Sequence, residues 1–261
     1  MTWVLGSGVP FGYGALISDV RVTWPDGRHL DGLQKIYPIG AGLMAGFAGS
    51  VWVGFWMLAA MRRQWGADVG ELYRVPYMAW HWHRFARWFY GAVIPASVKP
   101  YGCELMIAGV SPFQHAFGFH SHAVSMRAPD FTPNFIKPAG TWGSIGSGAK
   151  HNWAPHYADN SAFMTVFAHG EVMNPGGSAA MVAHSVAHSL EQEPMDSVSP
   201  IIQVGIVRAA DHEITILRRH HQGAWTIAQE DAVQTGQLIT DWDSFRAAAG
   251  EAGLDAEAAV T

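Results

Sequence analysis

Leu43-Met44-Ala45-Gly46-Phe47-Ala48-Gly49-Ser50 lies inside a run from Ile36 to Met61 that holds no charged residue. About 20 apolar residues cross a bilayer as a helix, so length alone makes this run a candidate span. Its composition argues against that. Gly40, Gly42, Gly46, Gly49 and Gly54 interrupt it, and Ser50 stands where a helix N-cap belongs. The run reads instead as a short buried strand, Gly42 to Phe47, followed by a helix from about Ser50 to Gln64.

The flanks extend this pattern. Upstream, Trp3 to Leu5, Ala15 to Ile17, Arg21 to Trp24 and Gln34 to Tyr37 are short strand candidates. Pro10-Phe11-Gly12 and Pro25-Asp26-Gly27 supply turns between them, and such close turns favour antiparallel hairpins. Downstream, a second helix is expected from about Ala67 to Tyr90, broken or kinked at Pro76. Strands resume at Glu104 to Val110, Phe117 to Ser121 and Ala123 to Arg127. Gly140 to Ala158 reads as loop. A helix from about Gly177 to Gln192 precedes strands Ile201 to Arg208 and Glu213 to Arg219, joined by a turn at Ala210-Asp211-His212. The alanine-rich stretch from Asp241 to Ala259 reads as a peripheral helix. Blocks of strands and helices, without strict alternation, give an α+β fold with mainly antiparallel sheets. One domain over 1–240 with a helical tail over 241–261 is the expected organisation.

Composition narrows the function classes. The 261 residues are 49% hydrophobic and 14% charged, enough for a large core. A net charge of −5 offers no basic face for nucleic acid. The single cysteine, Cys103, excludes an intramolecular disulfide and fits a reducing compartment. The first residues lack a charged n-region and an apolar h-region, so a cytoplasmic protein without membrane association is expected. Twelve tryptophans point to broad apolar interfaces between subunits.

Several motifs resemble those of proteasome β-subunits and the bacterial two-ring threonine proteases, members of the N-terminal nucleophile (Ntn) hydrolases. The stretch Leu43 to Ser50 resembles their strand-to-helix turn. Ser18-Asp19-Val20-Arg21 looks like their Ser-Asp-x-Arg, and Lys35 opens the next strand as their lysine does. Ile145-Gly146-Ser147-Gly148 resembles their Gly-Ser-Gly, and Asp196-Ser197-Val198-Ser199 their Asp-x-x-Ser. The pieces occur in the family's order over Thr2 to Arg219. The chain departs from the pattern in a slightly longer first hairpin, an expected insertion around 149–160, and Pro200-Ile201 where glycines usually follow.

This resemblance implies a four-layer αββα sandwich of two antiparallel sheets flanked by helices. It also implies a threonine peptidase inside a homo-oligomeric ring or barrel, with Thr2 as nucleophile after Met1 is removed. Threonine hydroxyl needs a base, and a free α-amine on the same residue titrates near neutral pH. Lys35 would lower the pKa of both groups, Asp19 would hold Lys35 charged, and Gly46 N–H would receive the oxyanion. Ser147, Asp196 and Ser199 would support the terminal amine. By the same resemblance, Thr23 binds substrate through its backbone, and Met44 and Ala48 line the first specificity pocket. The implied partners are a peptide or unfolded protein substrate and an ATPase or activator, with no cofactor.

Three other readings stay open on the residues alone. Asp19 and Lys35 can be an ordinary surface cross-strand ion pair. With Met1 retained, the chain would be a silent structural subunit of the same fold, and an Ntn amidohydrolase acting on a small amide is the third. His184 and His188 share a helix face, and His81, His83, His120, His122, His220 and His221 form near pairs. Without His-Glu-x-x-His or a thiolate pair they read as polar or interfacial residues, so no metal is expected. Gly143 to Lys150 lacks the Gly-Lys-Ser/Thr ending of a phosphate loop.

Overall fold

The computed structural model describes residues 3–10, 12–66, 75–115, 118–150, 177–199, 201–209, 212–219, 225–228 and 238–261. Thr2, residues 151–160 of the expected insertion, Pro200 and residues 210–211 of an expected turn lie outside them. The fold is α+β. Strands β1 (Trp3–Val9) and β2 (Tyr13–Asp19) form a hairpin, and β3 (Arg21–Thr23) pairs with β4 (His29–Asp31) in a small separate one. Strands β5 (Ile36–Gly40), β6 (Leu43–Gly49), β7 (Cys103–His115), β8 (Gly118–Arg127) and β9 (Asn134–Ile136) follow one another in a five-stranded sheet. A six-stranded sheet has the order β10–β1–β2–β11–β12–β13, with β10 (Gly143–Gly146), β11 (Ile202–Val207), β12 (His212–Arg219) and β13 (Trp225–Ala228). Every ladder in both sheets is antiparallel.

Strands β1, β2, β11 and most of β6 are buried on both faces, which is why they read as apolar runs studded with glycine. Their alternation sorts side chains into separate cores. Leu43, Ala45 and Phe47 of β6, with Leu105 and Ile107 of β7, meet helices α1 (Val51–Trp65) and α2 (Val75–Ala92). Trp3, Leu5, Ala15, Ile17, Val204 and Ile206 meet α3 (Gly177–Gln192). Between the sheets lie Val4, Leu16, Ile36, Met44, Ala48, Met106 and Ala108.

Glycine lets the two sheets approach almost backbone to backbone. A Cβ on Gly14 would stand 2.7 Å from Gly109 N, and one on Gly8 would stand 2.7 Å from the His122 backbone. Backbone cannot swing aside as a flexible side chain can. Gly14→Ala is therefore expected to cost about 1–3 kcal/mol. Gly91→Ala, near the end of α2 with nothing within 4 Å of the new carbon, should be neutral or stabilise by up to about 1 kcal/mol. Paired urea melts check the contrast, and equal effects would refute the close-approach argument.

Ser50 caps α1 as expected, its hydroxyl accepting from Val53 N at 3.3 Å. Ile36–Met61 is divided among β5, β6 and α1, and no helix among the described residues is long and apolar enough to cross a membrane. Pro76 sits in the first turn of α2, where a missing N–H breaks no bond, and residues 67–74 of the expected second helix lie outside the described residues. Three expectations need correction. The two strands expected around residue 122 are the single strand β8, because Gly109↔His122 and Val110↔Ser121 keep the ladder unbroken. Part of the expected loop is β10, whose partner is β1. The 241–261 tail is not peripheral. In α4 (Trp242–Glu251), Phe245 is fully buried and stacks on Trp24 at 6.0 Å, and Ala249, Ala256 and Ala259 join the α1–α2 core.

Candidate active site

The end of β2 brings Asp19 beneath the start of β1. Both Asp19 and Lys35 have side chains without any exposed surface, so the ion pair between them, 3.0 Å long, is no surface pair. Asp19 Oδ1 accepts from Lys35 Nζ and from Trp3 N, each at 3.0 Å. Asp19 Oδ2 accepts from Arg21 N at 2.8 Å and from Ser199 N at 3.3 Å. One carboxylate thus ties together β1, β2, β3, the approach to β5 and the loop before β11.

Lys35 precedes β5 and is fixed at both ends. Its amide donates to Gln203 Oε1 at 2.9 Å, and its ammonium donates to Arg21 O as well as to Asp19. Burial lowers the Lys35 pKa from its ordinary value, and the Asp19 charge opposes that shift without cancelling it. Such an ammonium is readier to release its proton than a solvated one. Arg21 serves the scaffold: it grips Asp31 through two bonds of 2.7 and 2.8 Å and reaches Asp196 O at 2.9 Å. Burial pulls Asp31 upward, but hydrogen bonding and charge from Arg21 outweigh it and hold the carboxyl low.

The remaining expected residues divide. Ser147 starts a short 3-10 turn after β10, and Gly146 beside it pairs with Trp3. Gly46 forms the last rung of the β5–β6 ladder, opposite Ile36, and a Cβ there would stand 3.3 Å from Lys35 O. Ser199 is buried and accepts from Ile201 N at 3.1 Å, so it shapes the loop as well as touching Asp19. Asp196 joins the cluster through its backbone carbonyl. Met44 packs in the core between the sheets, whereas Ala48 lines a cleft of about 370 Å3. Thr23 pairs by both backbone groups with Val260 of the same chain, at 2.8 and 2.9 Å.

That cleft is walled by Ala48, Gly49, Cys103, Glu104, Gly146 and Ser147, among others. Cys103 is not a rival nucleophile. It is fully buried, and burial with the neighbouring Glu104 charge pushes its thiol well above the ordinary range. Glu104 bridges Arg127 at 2.8 Å and Gly146 N at 3.0 Å, fixing the wall beside Ser147.

No protein-family model matches this chain, and no curated protein matches it in sequence.

A buried ammonium with a depressed pKa, next to the amide that joins Trp3 to Thr2, can stabilise an alkoxide or release a proton there. Gln203 and Glu104 are additions that sequence reading missed. Gln203 carried a weak signal, a lone amide in the apolar strand Ile202–Val207. Glu104 carried none. Among the described residues, no group of three or more His, Cys, Asp or Glu is placed to hold a metal ion. His122 is half-buried, and burial, then His120 and Lys137, lower its pKa.

Proposed function

We propose that the chain is a proteasome-like threonine peptidase, with Thr2 as nucleophile once Met1 is removed. One observation carries this reading. Asp19 Oδ1 accepts both the Lys35 ammonium and the Trp3 amide, the nitrogen bonded directly to the Thr2 carbonyl carbon. Trp3 N and the Lys35 ammonium thus share a single carboxylate oxygen. Helices α1 and α2 on one sheet, α3 on the other, and a shared core between the sheets support the four-layer αββα arrangement of Ntn hydrolases.

In this mechanism the α-amine of Thr2 takes the hydroxyl proton as the oxygen attacks the peptide carbonyl. Lys35 stabilises the developing alkoxide, and Gly46 N–H receives the oxyanion. The amine then passes its proton to the departing amine, leaving an ester on Thr2. Water cleaves that ester, returning the hydroxyl and releasing the acid. Ser147 and Ser199 hold the hydrogen-bonded surroundings. On its outer face, α2 exposes Tyr77, Trp80, Phe85 and Trp88, which supports assembly into a ring of copies.

Intact-mass measurement of the protein purified from its native source tests the reading. Loss of Met1 is expected, with hydrolysis of short fluorogenic peptides that ceases in Thr2→Ala. Retained Met1 with no hydrolysis would make the chain a structural subunit. Cleavage of small amides but not peptides would make it an amidohydrolase.

A further inference from the structure

On the edge of β6 that faces β5, the ladder ends at Gly46, and Phe47 to Gly49 have no β5 partner. Further along that edge, residues 259–261 lie between two backbone neighbours, joined to them through isolated bridges at Val260. Gly49 N donates to Thr261 O at 2.9 Å and Thr261 N returns a bond of 2.7 Å to Gly49 O. Val51 N reaches Ala259 O at 3.2 Å. From the other side Thr23 N and O exchange bonds with Val260. The bridges Thr23↔Val260 and Ser50↔Val260 are both antiparallel. In that direction the segment runs from Thr23 towards Arg21, whose carbonyl holds the Lys35 ammonium. Its last two residues line the cleft that also holds Ala48, Gly146 and Ser147.

Nearly all these bonds are made by backbone, which carries no sequence information. Any extended peptide of the same direction can make them. We propose that residues 259–261 are a displaceable internal segment that blocks the slot between Thr23 and Gly49, where the peptidase reading seats an extended peptide. The proposal rests on the peptidase reading for the occupant of the slot, since a peptide there advances on Lys35, but not for displacement of the segment itself. In the occupied state the segment competes with substrate, and its release opens the cleft.

The probe is a fluorescently labelled pentapeptide, Glu-Ala-Ala-Val-Thr, that copies residues 257–261. Its binding is followed by anisotropy to the full chain, to a chain lacking residues 259–261, and to Val260→Pro. Proline removes the N–H that Thr23 O accepts while keeping the chain intact. Both variants are expected to bind the probe at least about tenfold more tightly than the full chain, following removal of an internal competitor. N-methylation of the probe's valine nitrogen should weaken binding by a similar factor. Equal binding by all three proteins, or indifference to N-methylation, overturns the proposal. So does loss of cooperative unfolding in both variants, which would make the segment a structural strand. If peptide hydrolysis is detected, the variants should lower KM and leave kcat unchanged. Tight binding without any hydrolysis would instead count against the peptidase reading and leave the slot standing.

Discussion

Asp19→Ala is expected to remove about 3–5 kcal/mol of folding stability, the loss typical of a buried ion pair stripped of one partner. The reason lies in what remains behind. Lys35, fully buried, would keep the Arg21 carbonyl but lose its counter-charge. The amides of Trp3, Arg21 and Ser199 would lose their shared acceptor together. Lys35→Met should cost less, because Asp19 keeps those three donors and the thioether fills much of the lysine's volume. Urea unfolding of the two variants decides the matter. A larger loss from Lys35→Met would show that Asp19 is not the centre of the cluster.

Activity is expected to reverse that order of interest. Lys35→Met should reduce kcat/KM for peptide hydrolysis by at least about 10²-fold, the lower end for loss of one positioned electrostatic stabiliser, in a chain that remains folded. The pH dependence of stability supplies an independent readout. Burial lowers the folded pKa of Lys35 below its ordinary 10.5. Between the lowered value and 10.5, the unfolded chain therefore holds a proton that the folded chain has released. Stability from this group rises with pH through that interval, and its full cost is present below it. Lys35→Met should abolish that alkaline rise relative to wild type. A variant with full activity and an unchanged stability profile would remove Lys35 from the mechanism.

Much of this framework was legible in the residues. The period of α3, buried at Ala179, Val182, Ala183, Val186, Ala187 and Leu190, is plain in its sequence. Ser50 announced α1, and the charge-free run declared strands buried on both faces. Asp19 and Lys35 stood out through the resemblance of Ser18-Asp19-Val20-Arg21 and of the lysine opening the next strand to a known family's motifs. What stayed hidden is held by backbone or by weak patterns. β10 is four residues of glycine, serine and isoleucine, and only its partner β1 makes it a strand. The alanine-rich tail carries a helical signal for α4, and nothing in Ala259-Val260-Thr261 announces a paired segment whose bonds are nearly all made by main chain. The role of Gln203 was faint for a related reason: its Oε1 takes bonds from Lys35 N and from Ser18 Oγ, at 2.9 and 3.2 Å, across 168 and 185 residues of chain.

Treatment with a peptide β-lactone, followed by digestion and mass-spectrometric mapping, tests the central claim most directly. The expected product is a single ester adduct on Thr2 in a chain without Met1, formed as the hydroxyl opens the lactone and the α-amine takes its proton. An adduct on any other residue, or an unmodified Thr2 still behind Met1 in a folded and reactive preparation, would contradict it.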